Sequence, residues 1–326
     1  MKKIVREGFS SIIKRKIDLN NIIDYDSLDL ELIKKLLNEV IVDNIYNTID
    51  LLKLIKDNYE GNILDAIDNI DDYSNVRFNC YYATKVLKEK LALFGIDAKV
   101  ISYKSIGFST SYGDELIKEA HMAVLIVTRK NNKLYYLILD PGLRIPLPIG
   151  FYEENQKTYI SVDNDEIIIE KTNDDNYPYS MEMTGFNRYS TGNKSYWCKE
   201  YFDVYYETIN ESDVLFPLCF QILEGYRIIR FSEDKNKWAL IKLMVVDKCL
   251  ECYDEDTSVN ITFSEINSKR NNELEDFLKP FTKKLDTDTS ELVEIIRFVI
   301  DHYNEIINIF DPIVLNEFSK QKKLVN

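Results

Sequence analysis

Apolar residues recur at three- and four-residue spacing over residues 8–17, 27–38 and 43–57, a period that predicts three helices at the start of the chain. Asp26 and Ser27, and later Asp43-Asn44, supply side chains suited to cap helix starts, and Asn58-Tyr-Glu-Gly61 breaks the third helix. A short helix is expected over 62–70, then an acidic turn, Asp71-Asp-Tyr-Ser-Asn75. From residue 80 the stripe Ala83, Val86, Leu87, Leu91 and Phe94 predicts a longer helix that opens at Phe78-Asn79-Cys80 and closes at Gly95, a C-cap glycine.

Beyond Ala98 the period shortens. Lys99-Val-Ile-Ser-Tyr103 reads as a strand, and a long polar connection over 104–120, placed to border a site, leads to His121. Met122-Ala-Val-Leu-Ile-Val127 is a continuous apolar run, as a strand buried on both faces would be, and Leu134-Tyr-Tyr-Leu-Ile-Leu139 follows a turn over 129–133. These two form a predicted hairpin, which brings His121, at the start of one strand, to the same end as Asp140, at the finish of the next. Further strands are expected at 158–163, 166–170 and 201–206, with 226–230 and 238–246 as a second hairpin and alternation over 259–263. The stretch 172–199, rich in Asn, Asp, Ser and Tyr, reads as a solvated loop or a lid over a cleft. Residues 272–278 and 289–300 return to helical spacing, the second with Thr289 or Ser290 as its expected cap.

Composition narrows the function classes. With 326 residues, 45% hydrophobic and 12% aromatic, the chain exceeds a typical single core, and three segments are expected. These are a helical part over 1–96, a barrel-like β part over 97–231, and a C-terminal hairpin with helices over 232–326. A formal net charge of -14 argues against a nucleic-acid partner, whose phosphates call for a basic face. No run approaches the roughly 18 apolar residues that span a bilayer, and Met1-Lys-Lys-Ile-Val-Arg6 lacks the apolar core of a secretory signal, so a cytoplasmic protein without a membrane partner is expected. Five cysteines at irregular spacing do not suggest a disulfide framework. Cys249-Leu-Glu-Cys252 has no second pair to complete a zinc site, so no metal is expected. The 22 tyrosines suit half-buried strands as well as a ligand cleft. With 10 glycines in the chain, there is no phosphate-cradling loop.

The chemistry lies in Cys80, His121 and Asp140. A thiol attacks as thiolate, and a helix start lowers a cysteine's pKa below its usual value of about 8.5. Imidazole is the side chain matched to taking and returning that proton near neutral pH. A carboxylate at the adjacent strand end would fix the imidazole tautomer. Singly each has an ordinary reading, an inert core thiol, a structural histidine and an Asp-Pro-Gly turn; the joint order of helix start, strand start and strand end favours a triad. The other histidine, His302, lies beyond the last apolar stripe and reads as a surface or interhelical residue.

This order resembles the core of the papain-like, transglutaminase-like cysteine enzymes. Within them it looks most like the arylamine N-acetyltransferases, whose aspartate-bearing strand end leads into a glycine and a proline-rich segment, as in Leu139-Asp-Pro-Gly-Leu-Arg-Ile-Pro-Leu-Pro148. The match is clearest over 75–150, and the family's Arg-Gly-Gly-x-Cys approach is here Arg77-Phe78-Asn79-Cys80. The resemblance implies an α+β fold: an N-terminal helical bundle carrying the nucleophile, an antiparallel β-barrel or sheet, and a C-terminal α/β lid. It also implies transfer of an acetyl group from acetyl-coenzyme A, a co-substrate rather than a tightly bound cofactor, through a Cys80 thioester to a small-molecule amine. The alternative on the same triad is a transglutaminase-like cysteine peptidase, amidase or deamidase. A binding module that keeps the fold without chemistry fits less well, since all three triad residues are present.

Overall fold

A computed structural model describes residues 14–20, 22–43, 46–70, 79–106, 121–162, 165–186, 195–208, 225–231, 238–254 and 256–308. It divides into two compact units that interleave along the sequence, one built from 6–43 with 80–213, the other from 44–79 with 214–326. The fold is α+β, with eight α-helices among the described residues.

The first unit holds the candidate site. Helix α1 (Leu30–Asp43) and helix α4 (Asn79–Leu93) lie beside a nine-stranded sheet. Its main path runs β7 (Ile149–Tyr152), β6 (Lys133–Leu139), β5 (His121–Lys130), β4 (Lys99–Ile106), β11 (Ser195–Phe202), β10 (Tyr179–Phe186), β9 (Asp165–Lys171), β8 (Lys157–Val162), every neighbour antiparallel. The short β2 (Ile23–Asp24) adds to β5 in parallel.

This sheet curls into a nearly closed barrel. Strands β7 and β10 are five steps apart along the sheet, about 24 Å if it were flat, given strand spacings of about 4.8 Å. Yet Phe151 on β7 and Tyr179 on β10 have ring centroids 5.3 Å apart, and Tyr136 on β6 lies 6.5 Å from Tyr179. Only a curled sheet brings those rings together across an interior.

Alternation along β5 and β6 assigns the two faces. Ala123, Leu125, Tyr136 and Ile138 belong to the barrel core, whereas Val124, Ile126, Leu137 and Leu139 pack with Leu87 and Leu91 of α4 and with Ile33, Leu37 and Val40 of α1. Both faces are therefore buried, which is why the run from 122 to 127 carries no polar alternation. The hairpin between them turns at Asn131 and Asn132, whose φ angles of 53° and 61° are the left-handed values of a two-residue hairpin loop. Helix α4 ends as its sequence predicts: Gly95 has φ 73°, its N–H donates to Ala92 O, and Ile96 N–H donates to Leu91 O.

Four expectations are corrected. Within 8–17, residues Lys14–Lys16 form strand β1, paired with β12 (Tyr206–Thr208); residues 8–13 lie outside the described set. The 43–57 pattern is divided by strand β3 (Tyr46–Asn47), and helix α2 is confined to Ile49–Asp57. The stretch 172–199 is neither loop nor lid over most of its described length. It contributes β10 and the start of β11, with Met181 and Met183 buried in the barrel while Glu182 and Thr184 alternate with them. The last long helix, α7 (Thr289–Asp301), is capped by Asp288, whose carboxylate accepts from Glu291 N–H. Of the connection expected over 104–120, residues 104–106 extend β4 and 107–120 lie outside the described residues, as do the acidic turn at 71–75, the approach residues Arg77 and Phe78, and Cys219.

The second unit is a five-stranded antiparallel sheet. Its order is β16 (Ser258–Thr262), β15 (Cys249–Tyr253), β14 (Trp238–Met244), β13 (Tyr226–Phe231) and β3. With it come α2, α3 (Ile63–Asp68), α5 (Phe263–Ser268), α6 (Asn271–Leu285), α7 and α8 (Tyr303–Asn308). His302 ends α7 there, with its Nδ1 3.0 Å from Glu305 and its ring against Tyr59 and Phe298. That contact holds the Glu305 carboxyl below the usual carboxylate range. Among the described residues, no helix is long and apolar enough to cross a membrane.

Candidate active site

His121 is the first residue of β5, and Asp140 follows the last residue of β6. By strand parity His121 is in step with Ala123 and Leu125 of the barrel core. The antiparallel register brings the two ends together. His121 Nε2 lies 2.9 Å from Asp140 Oδ1 and 2.8 Å from Oδ2. Asp140 is fully buried, and its Oδ1 also accepts the Leu143 N–H at 2.8 Å.

A buried carboxylate that already accepts one backbone N–H acts toward the imidazole as an acceptor, so Nε2 carries the proton and donates. In the neutral ring the basic lone pair then belongs to Nδ1. Tyr103, opposite His121 in the β4–β5 register and itself fully buried, lays its ring 5.4 Å from the imidazole at 46°. The ring plane is thus held by a carboxylate at one edge and an aromatic face beside it.

The turn bearing Asp140 is fixed on its far side as well. Ile145 N–H donates to Asp140 O, closing the turn, and the buried Arg144 donates from Nη1 to Ile41 O at 2.9 Å, in the last turn of α1. A guanidinium suits that place, because the carbonyls at a helix C-terminus carry partial negative charge. Arg144 pays for the contact with φ 57°, left-handed for a residue with a Cβ. Asn38 adds a bond from Nδ2 to Pro146 O at 3.3 Å.

Helix α4 begins at Asn79, so the backbone of Cys80 stands in its first turn; the Cys80 side chain lies outside the described residues. One turn further on, the buried Thr84 donates its hydroxyl to Met122 O at 3.1 Å, the carbonyl next to His121. Thr84, Leu87 and Leu91 recur at 3- and 4-residue steps and so share one helical face, the face that Leu87 and Leu91 bury against β5 and β6. Helix α4 from Cys80 onward, His121 and Asp140 belong to one unit.

Two other cysteines are of another kind. Cys249 and Cys252 lie in β15, both buried, and burial pushes the Cys252 thiol up to about 12. Three contributors to the candidate site carry no catalytic motif in the sequence: Tyr103, Thr84 and Arg144. Thr84 alone had a local signal, its position one helical turn after Cys80.

No family model matches this sequence, and no curated protein matches it. Solved structures do resemble it in fold. The arylamine N-acetyltransferase from Mycobacterium abscessus is 11% identical with a TM-score of 0.49, over 82% of this chain and 88% of that one. The enzyme of the same description from Salmonella typhimurium is 12% identical with a TM-score of 0.48, over 82% and 92%. That from Mycobacterium marinum, in complex with CoA, is 11% identical with a TM-score of 0.46, over 83% and 93%.

Proposed function

We propose that this protein is a cysteine-dependent acyltransferase in which Cys80, His121 and Asp140 act as a triad. The observation that carries the reading is the buried bond from His121 Nε2 to Asp140, which turns Nδ1 into the basic nitrogen at a strand end that Thr84 of α4 ties to the helix through Met122 O. In the forward step His121 Nδ1 takes the Cys80 proton, and the thiolate attacks the carbonyl carbon of an acyl thioester. The donor's thiolate leaves and accepts the proton from His121. An amine then attacks the Cys80 thioester, His121 takes its proton, and the Cys80 thiolate departs with the acyl group now on nitrogen. Asp140 orients the imidazole and stabilises the imidazolium that forms between these transfers.

Acetyl-coenzyme A as donor, and a small aromatic amine or hydrazine as acceptor, follow from the sequence resemblance over 75–150. The reading is tested by incubating the protein with acetyl-coenzyme A and measuring its intact mass. An acetyl increment that an arylamine or hydrazine discharges is expected. Unmodified protein, together with Cys80-dependent ammonia release or peptide cleavage, would assign the same triad to amide hydrolysis instead.

A further inference from the structure

Helix α4 and strand β5 must be held in one register if a thiol at the start of the helix is to meet an imidazole at the start of the strand. Most of their contact cannot do this. Leu87 and Leu91 pack against Val124 and Ile126, and apolar contacts are non-directional, so they resist separation better than sliding. Thr84 is different. Its hydroxyl makes a directional bond to the Met122 carbonyl, at 3.1 Å, in a place with 1% exposure.

The place of that bond in the sheet matters as much as its length. The β5–β6 ladder runs from Lys130 opposite Lys133 to Val124 opposite Leu139, so Met122 and His121 extend past its end. On that stretch the β4 ladder holds one edge, pairing Met122 with Ser102 and His121 with Tyr103. Thr84 adds the tie to the helix. Four residues of helix rise span about 6 Å, so the bond acts one turn from Cys80 along the chain and one residue from His121.

We infer that Thr84 is a positioning residue, whose hydroxyl sets the register between the nucleophile's helix and the base's strand through Met122. The inference rests on the triad reading above. A displacement of about 1 Å between reacting groups can cost a hundredfold in rate, so one directional bond at this point has leverage over the chemistry. Threonine fits the task, because its branched Cβ restricts the rotamer that aims the hydroxyl.

The test compares Thr84→Val, which keeps the branched shape and removes the donor, with Thr84→Ser, which keeps the donor and removes the methyl. The readout is iodoacetamide labelling of Cys80 as a function of pH in the full chain, with thermal melting alongside. In Thr84→Val the labelling rate at pH 6 should fall about tenfold or more, and its pH midpoint should rise toward that of an unassisted thiol; Thr84→Ser should stay within about threefold of the parent. A folded Thr84→Val protein with the parental pH profile, whatever its melting temperature, would overturn the inference and leave Thr84 a packing residue. Should the valine variant fail to fold, a folded Thr84→Ser protein that has lost labelling at pH 6 would overturn it equally, and one that retains the profile supports it. His121→Ala separates this outcome from failure of the triad. If Cys80 labelling ignores His121, the triad reading has failed; if it responds to His121 but not to Thr84, only the positioning role has.

Discussion

Cys80→Ala is expected to abolish the acetyl adduct formed from acetyl-coenzyme A and to lower turnover by about a thousandfold or more. The size follows from the role. In the proposed two-step transfer the thiolate is both the attacking group and the covalent carrier. Cys249 and Cys252 are poor substitutes, since both are buried and the Cys252 thiol is pushed up to about 12. Intact mass gives the adduct, and coenzyme A release gives the rate. Turnover that survives in Cys80→Ala to within tenfold would mean that acyl transfer proceeds directly between donor and amine, with the cysteine a bystander.

Asp140→Asn should cost about a thousandfold in turnover while leaving the fold intact. The carbonyl of asparagine can still accept the Leu143 N–H, which keeps the turn closed. That directs the amide NH2 toward His121 Nε2, which must then accept rather than donate. The proton moves to Nδ1, the nitrogen that has to be basic toward the thiol. The loss is therefore one of tautomer rather than of structure, and it should appear in kcat with a melting temperature within a few degrees of the parent. A variant that retains more than a tenth of the activity would show that Asp140 acts through packing alone.

The His121–Asp140 pair was legible because it depends on local order. His121 at the head of an apolar run and Asp140 at the tail of the next, joined by a short turn, leave one antiparallel pairing that puts them at a common end. The structure adds which nitrogen faces the carboxylate. Thr84 and Arg144 were not legible, since each acts through a side-chain bond to a backbone carbonyl of a distant segment, Met122 and Ile41, and neither carbonyl has a sequence signature. Long-range pairing also defeated local period at the N-terminus. Residues 14–16 sit at the end of a helical pattern yet form a strand, because they pair with 206–208, and Arg15 reaches Glu207 across 192 positions.

The polar stretch 172–199 misled for the opposite reason. Its alternation of Tyr179, Met181 and Met183 with Glu182 and Thr184 is a strand's alternation, but the Asn, Asp and Ser around it dilute the signal. Residues 179–186 and 195–199 are barrel wall rather than a lid over a cleft. Acyl transfer therefore stands on the triad and on the resemblance over 75–150.

The most direct test of the central claim, that Cys80 is the thiol served by His121 and Asp140, is the pH dependence of iodoacetamide labelling, site by site, in the parent and in His121→Ala. Thiolate is the reactive form and accumulates above the thiol's pKa, so a lowered pKa extends reactivity downward in pH. Cys80 should label rapidly at pH 6. Cys252, with its thiol pushed up to about 12, should remain unlabelled from pH 6 to 9 and serve as the internal control. In His121→Ala the Cys80 rate at pH 6 should drop and the midpoint should move up toward the ordinary value of about 8.5. Identical Cys80 profiles in the two proteins, or labelling of Cys249 or Cys252 ahead of Cys80, would contradict the account.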